Sequence, residues 1–488
     1  MGTFVKQSIV STVFSYLGIV LGYINLLVLF PFAFDPAEIG MVRFIQDMAL
    51  LLVPFSQLGL TQTLLRYYPG YANSKELSDK FLVFIFSSLA ILSLLTLGML
   101  RIFHTEVYSL FNTNAPEVEQ YSYLIIALIF ILSVQAIFET ISRILQKILL
   151  INFIKEIYIR LVTTLLVTLF IYNQINFDQF LFYMVGGYLL GLLVITFYVF
   201  ALHPITLKFG FKDLFDAKVR PESLFFYSIT TVLGTGGMLI VSRIDSIMIT
   251  SMIGLPALAI YSISFYIATV IEVPKRPITQ LTTPLISFAM KSGDYSEIKR
   301  IYSMVSLTQF AAGALLFLGI WVNIDFLFYY IPNGEYYAAG KYVVLAIGLG
   351  KLIDLASGNN GDIIVMSDYY KFNIILVSLL AILTILSNYL LIPAYGFTGA
   401  AIASAISIFF YNLIKFLFIY LRMKLQPFNW LSLIILNITI LIFILGEIIP
   451  HYPVLWVDMI IRTSVVIIVY LGVVFKLGIY KFIISKMR

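Results

Sequence analysis

The chain has 488 residues, of which 61% are hydrophobic and 11% charged, and its mean hydropathy is +0.99. So much apolar surface cannot be hidden in a soluble core, which excludes a globular enzyme and makes the chain an integral membrane protein. Its formal charge of +6 is explained below by topology without a nucleic-acid partner, and the absence of cysteine excludes disulfides and thiolate metal sites.

The apolar runs reach about 20 residues or more between short polar joints and so predict helices, whereas a β-barrel would alternate polar and apolar residues in strands of about ten. Residues 1–10 lack the short apolar core and small-residue cleavage site of a signal peptide, so the first span is expected to be retained. Fourteen spans are predicted in all. Six, at 8–31, 38–66, 81–103, 119–143, 154–173 and 179–202, precede a long joint from His203 to Pro221. Six more follow at 222–243, 256–280, 301–322, 338–357, 372–393 and 397–421, and spans at 430–449 and 457–477 close the chain. The expected organisation is therefore all-α: a six-helix bundle over 1–210, a second over 211–424, and two additional helices in 425–488.

An even span count puts both termini on one side. Counted that way, the opposite ends hold only Arg43, Arg101, Arg243, Lys341 and Arg462, while Lys351 lies inside a span. The rest of the 31 Lys and Arg residues, including Lys208, Lys212, Lys218, Arg220, Lys481, Lys486 and Arg488, fall on the terminal side. The positive-inside rule makes that side cytoplasmic, where anionic lipid headgroups answer the basic surplus. Tyr and Phe pairs such as Tyr67-Tyr68 and Tyr329-Tyr330 read as an interfacial aromatic belt.

The stretch from Asp35 to Lys80 recurs from Leu255 to Arg300. Each copy opens with Pro-Ala (Pro36, Pro256) and is interrupted by Val-Pro (Pro54, Pro274) inside a long apolar run. Shared helix breakers are the trace expected of two equivalent transporter halves, with Pro54 and Pro274 as candidate bending points.

Three stretches carry a more specific signal. Gly59-Leu60 leads to Arg66-Tyr67-Tyr68-Pro69; RIDSIMITSMIGLPALAIYSIS runs from Arg243 to Ser264; and IPAYGFTGAAIASAIS runs from Ile392 to Ser407. With these the chain resembles, over essentially its whole length, the polysaccharide biosynthesis protein family. These are the lipid-linked oligosaccharide flippases of the multidrug/oligosaccharidyl-lipid/polysaccharide exporter superfamily. The resemblance implies two six-helix bundles around a central cavity lined mainly by spans 1, 2, 7 and 8, which alternates access between leaflets. It also implies a bacterial cytoplasmic (inner) membrane setting, no cofactor, and a place beside the polymerase and chain-length machinery of O-antigen, capsule or exopolysaccharide assembly. Small residues from Gly399 to Ala405 would allow close helix approach in lipid.

A charge within a span is costly unless paired, wetted or carried to the interface, so each marks a candidate site. Arg43, Arg66, Arg243, Lys275 and Arg276 are the candidates for a headgroup phosphate, because guanidinium and ammonium donors bind phosphate oxygens strongly away from bulk water. Asp47, Glu272 and Asp354 are the candidates for ion coupling. Asn25, Gln57, Gln62, Gln280, Asn359 and Asn360 are the candidate sugar contacts. Glu139 with Arg143, at i, i+4, reads more readily as a neutralised pair between packed helices. His104, His203 and His451 are scattered, and HExxH and Gly-rich GKS/T motifs are absent, so metal hydrolysis and nucleotide-driven transport lack their parts. The expected function is a flippase moving a polyprenyl-pyrophosphate-linked oligosaccharide outward. The alternatives are a cation-coupled multidrug exporter and a peptidoglycan-precursor flippase.

Overall fold

The computed structural model describes residues 2–204, 206, 214, 221–449 and 452–476. Among them every regular element is helical. Lys208, Lys212, Lys218, Arg220, Lys481, Lys486 and Arg488 lie outside the described residues, as does most of the joint expected between the two bundles. Two compact units emerge, Met1–Ala259 and Ile260–Arg488.

In the first unit α1 (Gly2–Ile24) continues through a π-helical turn at Asn25–Leu29. The second span is two helices, α2 (Pro36–Gln57) and α3 (Leu60–Tyr71). Asp35 and Glu38 form a capping box at the start of α2, and Pro36 occupies its first turn, where no backbone N–H is needed. The helix breaks at Leu58 and Gly59, both left-handed at φ 46° and 77°. Gly59 also abuts the Ser228 carbonyl, where a side chain would collide. Then come α4 (Lys75–Ile102), capped by Ser74, and α5 (Ser122–Ile144). α6 (Ile159–Ile171) follows a π turn at Ile154–Tyr158, and α7 (Phe177–Leu202) is capped by Asn176. α8 (Pro221–Met252) completes the unit with the start of α9 (Leu255–Thr269). α2 is its axis, packed on α5 and α8 with Ile39, Val42, Phe44, Ile45 and Ala49 buried.

The second unit takes up α9 at Ile260 and turns through Val270–Glu272 and Pro274 into α10 (Lys275–Ser292). It continues with α11 (Tyr295–Val322), α12 (Lys341–Ala356) and α13 (Tyr370–Met423), and ends with α14 (Trp430–Ile448) and α15 (Leu455–Lys476). Its core gathers Leu307, Phe317 and Leu318 of α11, Leu355 of α12, Ile435 and Ile442 of α14 and Tyr470 of α15. The two C-terminal helices thus share that core. Arg462 binds them together, pairing with Asp458 at 2.9 Å and donating to the carbonyls of Gly446 and Ile449 at the end of α14.

Among the described residues eleven helices are long and apolar enough to cross a membrane, so the expected count of fourteen is not reached by that measure. The helical run over 149–171, which passes through the second π turn, is long enough but carries Lys155, Glu156 and Arg160, and the run over 338–356 carries Lys341, Lys351 and Asp354. The third cause is α13, whose 54 residues hold both 372–393 and 397–421. Gly396 interrupts it at φ 61°, ψ −146°, and a Cβ on Gly399 would strike the Leu391 carbonyl. Residues eight apart in a straight helix are about 12 Å apart along the axis, so the chain must double back there. Ala400, Ala401 and Ala403 are buried just beyond the break, as close packing of small residues requires. Large apolar side chains remain exposed on many helices, Leu190, Leu193 and Phe197 of α7 among them, which is the surface a lipid solvent demands.

Candidate functional site

The first unit holds a cavity of about 370 Å³ lined by residues of α2, α3, α5, α8 and the second π turn. Its polar lining includes Gln57, Gln62, Gln135, Glu139, Arg143 and Lys155. Glu139 and Arg143 stand one turn apart on α5, and Arg143 Nη2 donates to Glu139 Oε1 at 2.6 Å. Lys155 Nζ donates to the other carboxylate oxygen at 2.8 Å. The three are unequally covered: the Glu139 side chain is 15% exposed, Arg143 54% and Lys155 42%. A guanidinium carries five N–H donors and an ammonium three, so a single carboxylate occupies a small part of the donor capacity at this wall.

Lys155 reaches Glu139 from the π turn, whose i→i+5 bonding inserts one residue into the helical register. Asn25 anchors the helix that follows that turn. Its Nδ2 donates to the Arg160 carbonyl at 2.9 Å, and its Oδ1 accepts from Thr164 Oγ1 at 2.7 Å. Asn25 therefore spends its polar atoms on the neighbouring helix. Gln57 is buried and donates to the Ser133 carbonyl at 3.3 Å, while Gln62 lies partly exposed on the cavity wall. Arg66 is exposed on α3 with its guanidinium carbon 4.3 Å from the Tyr227 ring centroid.

A second cluster of the first unit forms around Asp47, 1% exposed. Arg243 of α8 donates to Asp47 Oδ1 at 2.6 Å, and Ser246 donates to Oδ2 at 2.7 Å. Arg43, one turn before Asp47 on α2, approaches Oδ2 at 3.5 Å and donates to Gln46 at 3.4 Å. Two cations thus share one buried carboxylate.

In the second unit Lys275 binds Asp354 and lies 3.8 Å from Glu272, which in turn binds Lys351. Asn412 Nδ2 donates to Asp354 Oδ1 at 3.2 Å, and Asn360 donates to Asn412 at 2.8 Å. Asn359 is buried beside this ladder and donates to Thr282 Oγ1 at 2.7 Å. Arg276 and Gln280 are exposed on α10. A cavity of about 580 Å³ between α11, α12 and α14 is lined by Phe310, Leu349, Leu352, Leu436 and Phe443 and offers no charge to an anion.

The structure therefore joins Arg43, Arg243 and Asp47 in one cluster, Lys275, Glu272 and Asp354 in another, and places Gln57 and Gln62 on the polar cavity. It leaves Arg66, Arg276 and Gln280 apart from all three groups. Sequence reasoning passed over Lys155, Ser246 and Asn412. Asn412 was findable as an amide isolated in the apolar run of span 12. Lys155 was hidden by the π turn.

Several known proteins are similar to the chain. An uncharacterized membrane protein of Methanocaldococcus jannaschii is 23% identical over 464 residues, covering 91% of this chain and 87% of that protein. Among solved structures, the lipid II flippase MurJ in an inward closed conformation superposes with a TM-score of 0.71 at 14% identity, over 96% of this chain and all of that one. A multidrug resistance MATE family transporter of the MOP superfamily, inward-facing, superposes at 0.60 and 16% identity over 86% of this chain and 94% of its own. At those identities the superpositions establish a shared fold. Residues 4–290 match the family described as polysaccharide biosynthesis protein, more than half of the length, and the chain belongs to that family.

Proposed function

We propose that the protein is a flippase that carries a polyprenyl-pyrophosphate-linked oligosaccharide from the cytoplasmic to the outer leaflet of the cytoplasmic membrane. The observation that carries this reading is the cavity of the first unit, where Arg143 and Lys155 outnumber Glu139 beside Gln57, Gln62 and Gln135. Cationic donors in surplus over carboxylate suit a pyrophosphate, and neighbouring carboxamides suit sugar hydroxyls. The proposed orientation keeps both termini cytoplasmic, as the distribution of Lys and Arg favours. Outward movement of a negative headgroup is then assisted by an inside-negative potential, by about 2.3 kcal/mol per charge per 100 mV. Family membership and the fold shared with a lipid II flippase support the same reaction class. The product would pass to the machinery that polymerises surface glycan.

The test is depletion. Cells deprived of the protein accumulate the lipid-linked repeat unit facing the cytoplasm, and mass spectrometry of that lipid identifies the glycan. Complementation with an Arg143→Gln/Lys155→Gln variant fails to clear the lipid. Normal surface glycan from that variant, at wild-type protein levels, overturns the site.

A further inference from the structure

Glu139 is bound by both cations of the polar cavity, one on each carboxylate oxygen. It is far less exposed than either of them. We infer that Glu139 is a built-in competitor for the ligand's phosphate: it holds Arg143 and Lys155 in the empty site and surrenders them when the headgroup arrives. The inference rests on the proposed phosphate site and assigns Glu139 the setting of its affinity.

The geometry supports the exchange in two ways. A carboxylate presents two oxygens on one atom, as a phosphate does, so donors aimed at the two Glu139 oxygens are already spaced for two oxygens of one phosphate. Two cations held side by side also repel each other, and Glu139 offsets that repulsion while the site is empty. A phosphate must then displace a charged partner instead of water, which weakens binding. Weak binding is useful here, because a carrier that holds its cargo too tightly does not let it go on the far side. Tight engagement comes from Arg143 and Lys155, and release from Glu139.

The experiment uses the full chain in lipid nanodiscs with two probes, farnesyl pyrophosphate and inorganic pyrophosphate. Removing the competing charge with Glu139→Gln is expected to tighten binding of both probes about tenfold, the scale of one charge-assisted hydrogen bond. Glu139→Asp keeps the charge on a shorter side chain and should tighten binding about threefold by loosening the contact with Lys155. Unchanged or weaker binding by these variants, with binding still lost in Arg143→Gln/Lys155→Gln, overturns the competitor and leaves the phosphate site intact. Wild-type binding by the Arg143→Gln/Lys155→Gln variant instead overturns the site itself, and the competitor with it. A tightening confined to farnesyl pyrophosphate overturns phosphate exchange, because the contact would then be to the lipid. Farnesyl pyrophosphate binding more tightly than inorganic pyrophosphate supports a lipid headgroup as the ligand, and the reverse order overturns that reading.

Discussion

The two units treat buried charge differently. In the first, Asp47 is shared by Arg43 and Arg243, and Glu139 by Arg143 and Lys155. Each of these two carboxylates is outnumbered, although Asp79 of the same unit, fully buried, is held by Thr206 and His203. In the second, Glu272 and Asp354 alternate with Lys275 and Lys351, and Asp362 and the buried Lys415, which sits over the Tyr411 ring, add one charge of each sign, so anions and cations match three for three. A balanced cluster has little net charge to offer an outside ion, whereas an unbalanced one retains donors for an incoming anion. Net charge across the chain does not reveal this. What matters is how cations are apportioned among carboxylates within each group.

The comparison breaks most sharply at Asp47. Replacing it with Ala leaves two arginines facing each other around a buried gap, and a loss of about 3–5 kcal/mol is expected, the cost of removing one partner of a buried pair. Thermal unfolding of the purified protein reads it directly, and adding Arg243→Gln should restore only part because Arg43 remains.

In the second unit the outcome should differ. Lys275→Ala is expected to destabilise by about 1–3 kcal/mol, and Lys275→Ala/Asp354→Ala should recover most of that, since both charges leave together. A double-mutant cycle with no coupling between them would refute the one-for-one ladder.

Smaller still are the single changes at the cavity wall. Arg143→Gln or Lys155→Gln alone should reduce headgroup affinity about tenfold, because each removes one charge-assisted partner while the other remains. The smallest effect is expected from Asn25→Ala, about 1 kcal/mol from two lost hydrogen bonds that are only partly shielded from exchange with other partners. Glycan export by this variant should fall further than its stability suggests if the π turn aims Lys155, and equal declines would mean that Asn25 only packs.

Hydropathy made the all-helical membrane fold legible, since runs of about 20 apolar residues have few other uses. The proline repeat located real interruptions but not their form. The break after Pro54 falls at Leu58-Gly59, and that at Pro274 comes through a tight turn at Val270–Glu272. Side-chain partners were less accessible. Arg243 and Asp47 are 196 residues apart, and no local pattern pairs them. Lys155 falls outside any 3.6-residue face drawn along its helix, because the inserted residue of the π turn shifts the register. Asn25 looked like a sugar contact for the reason that makes it structural: an amide in an apolar helix must find partners, and the nearest were the Arg160 carbonyl and Thr164.

The doubling back at Gly396 bears on how the protein is made. Residues 372–393 and 397–421 are joined by a corner at backbone angles that glycine alone adopts freely. Two apolar arms joined so tightly are expected to enter the bilayer together as a hairpin, so a bulkier residue at position 396 should be felt first as failed insertion, before any transport step is reached.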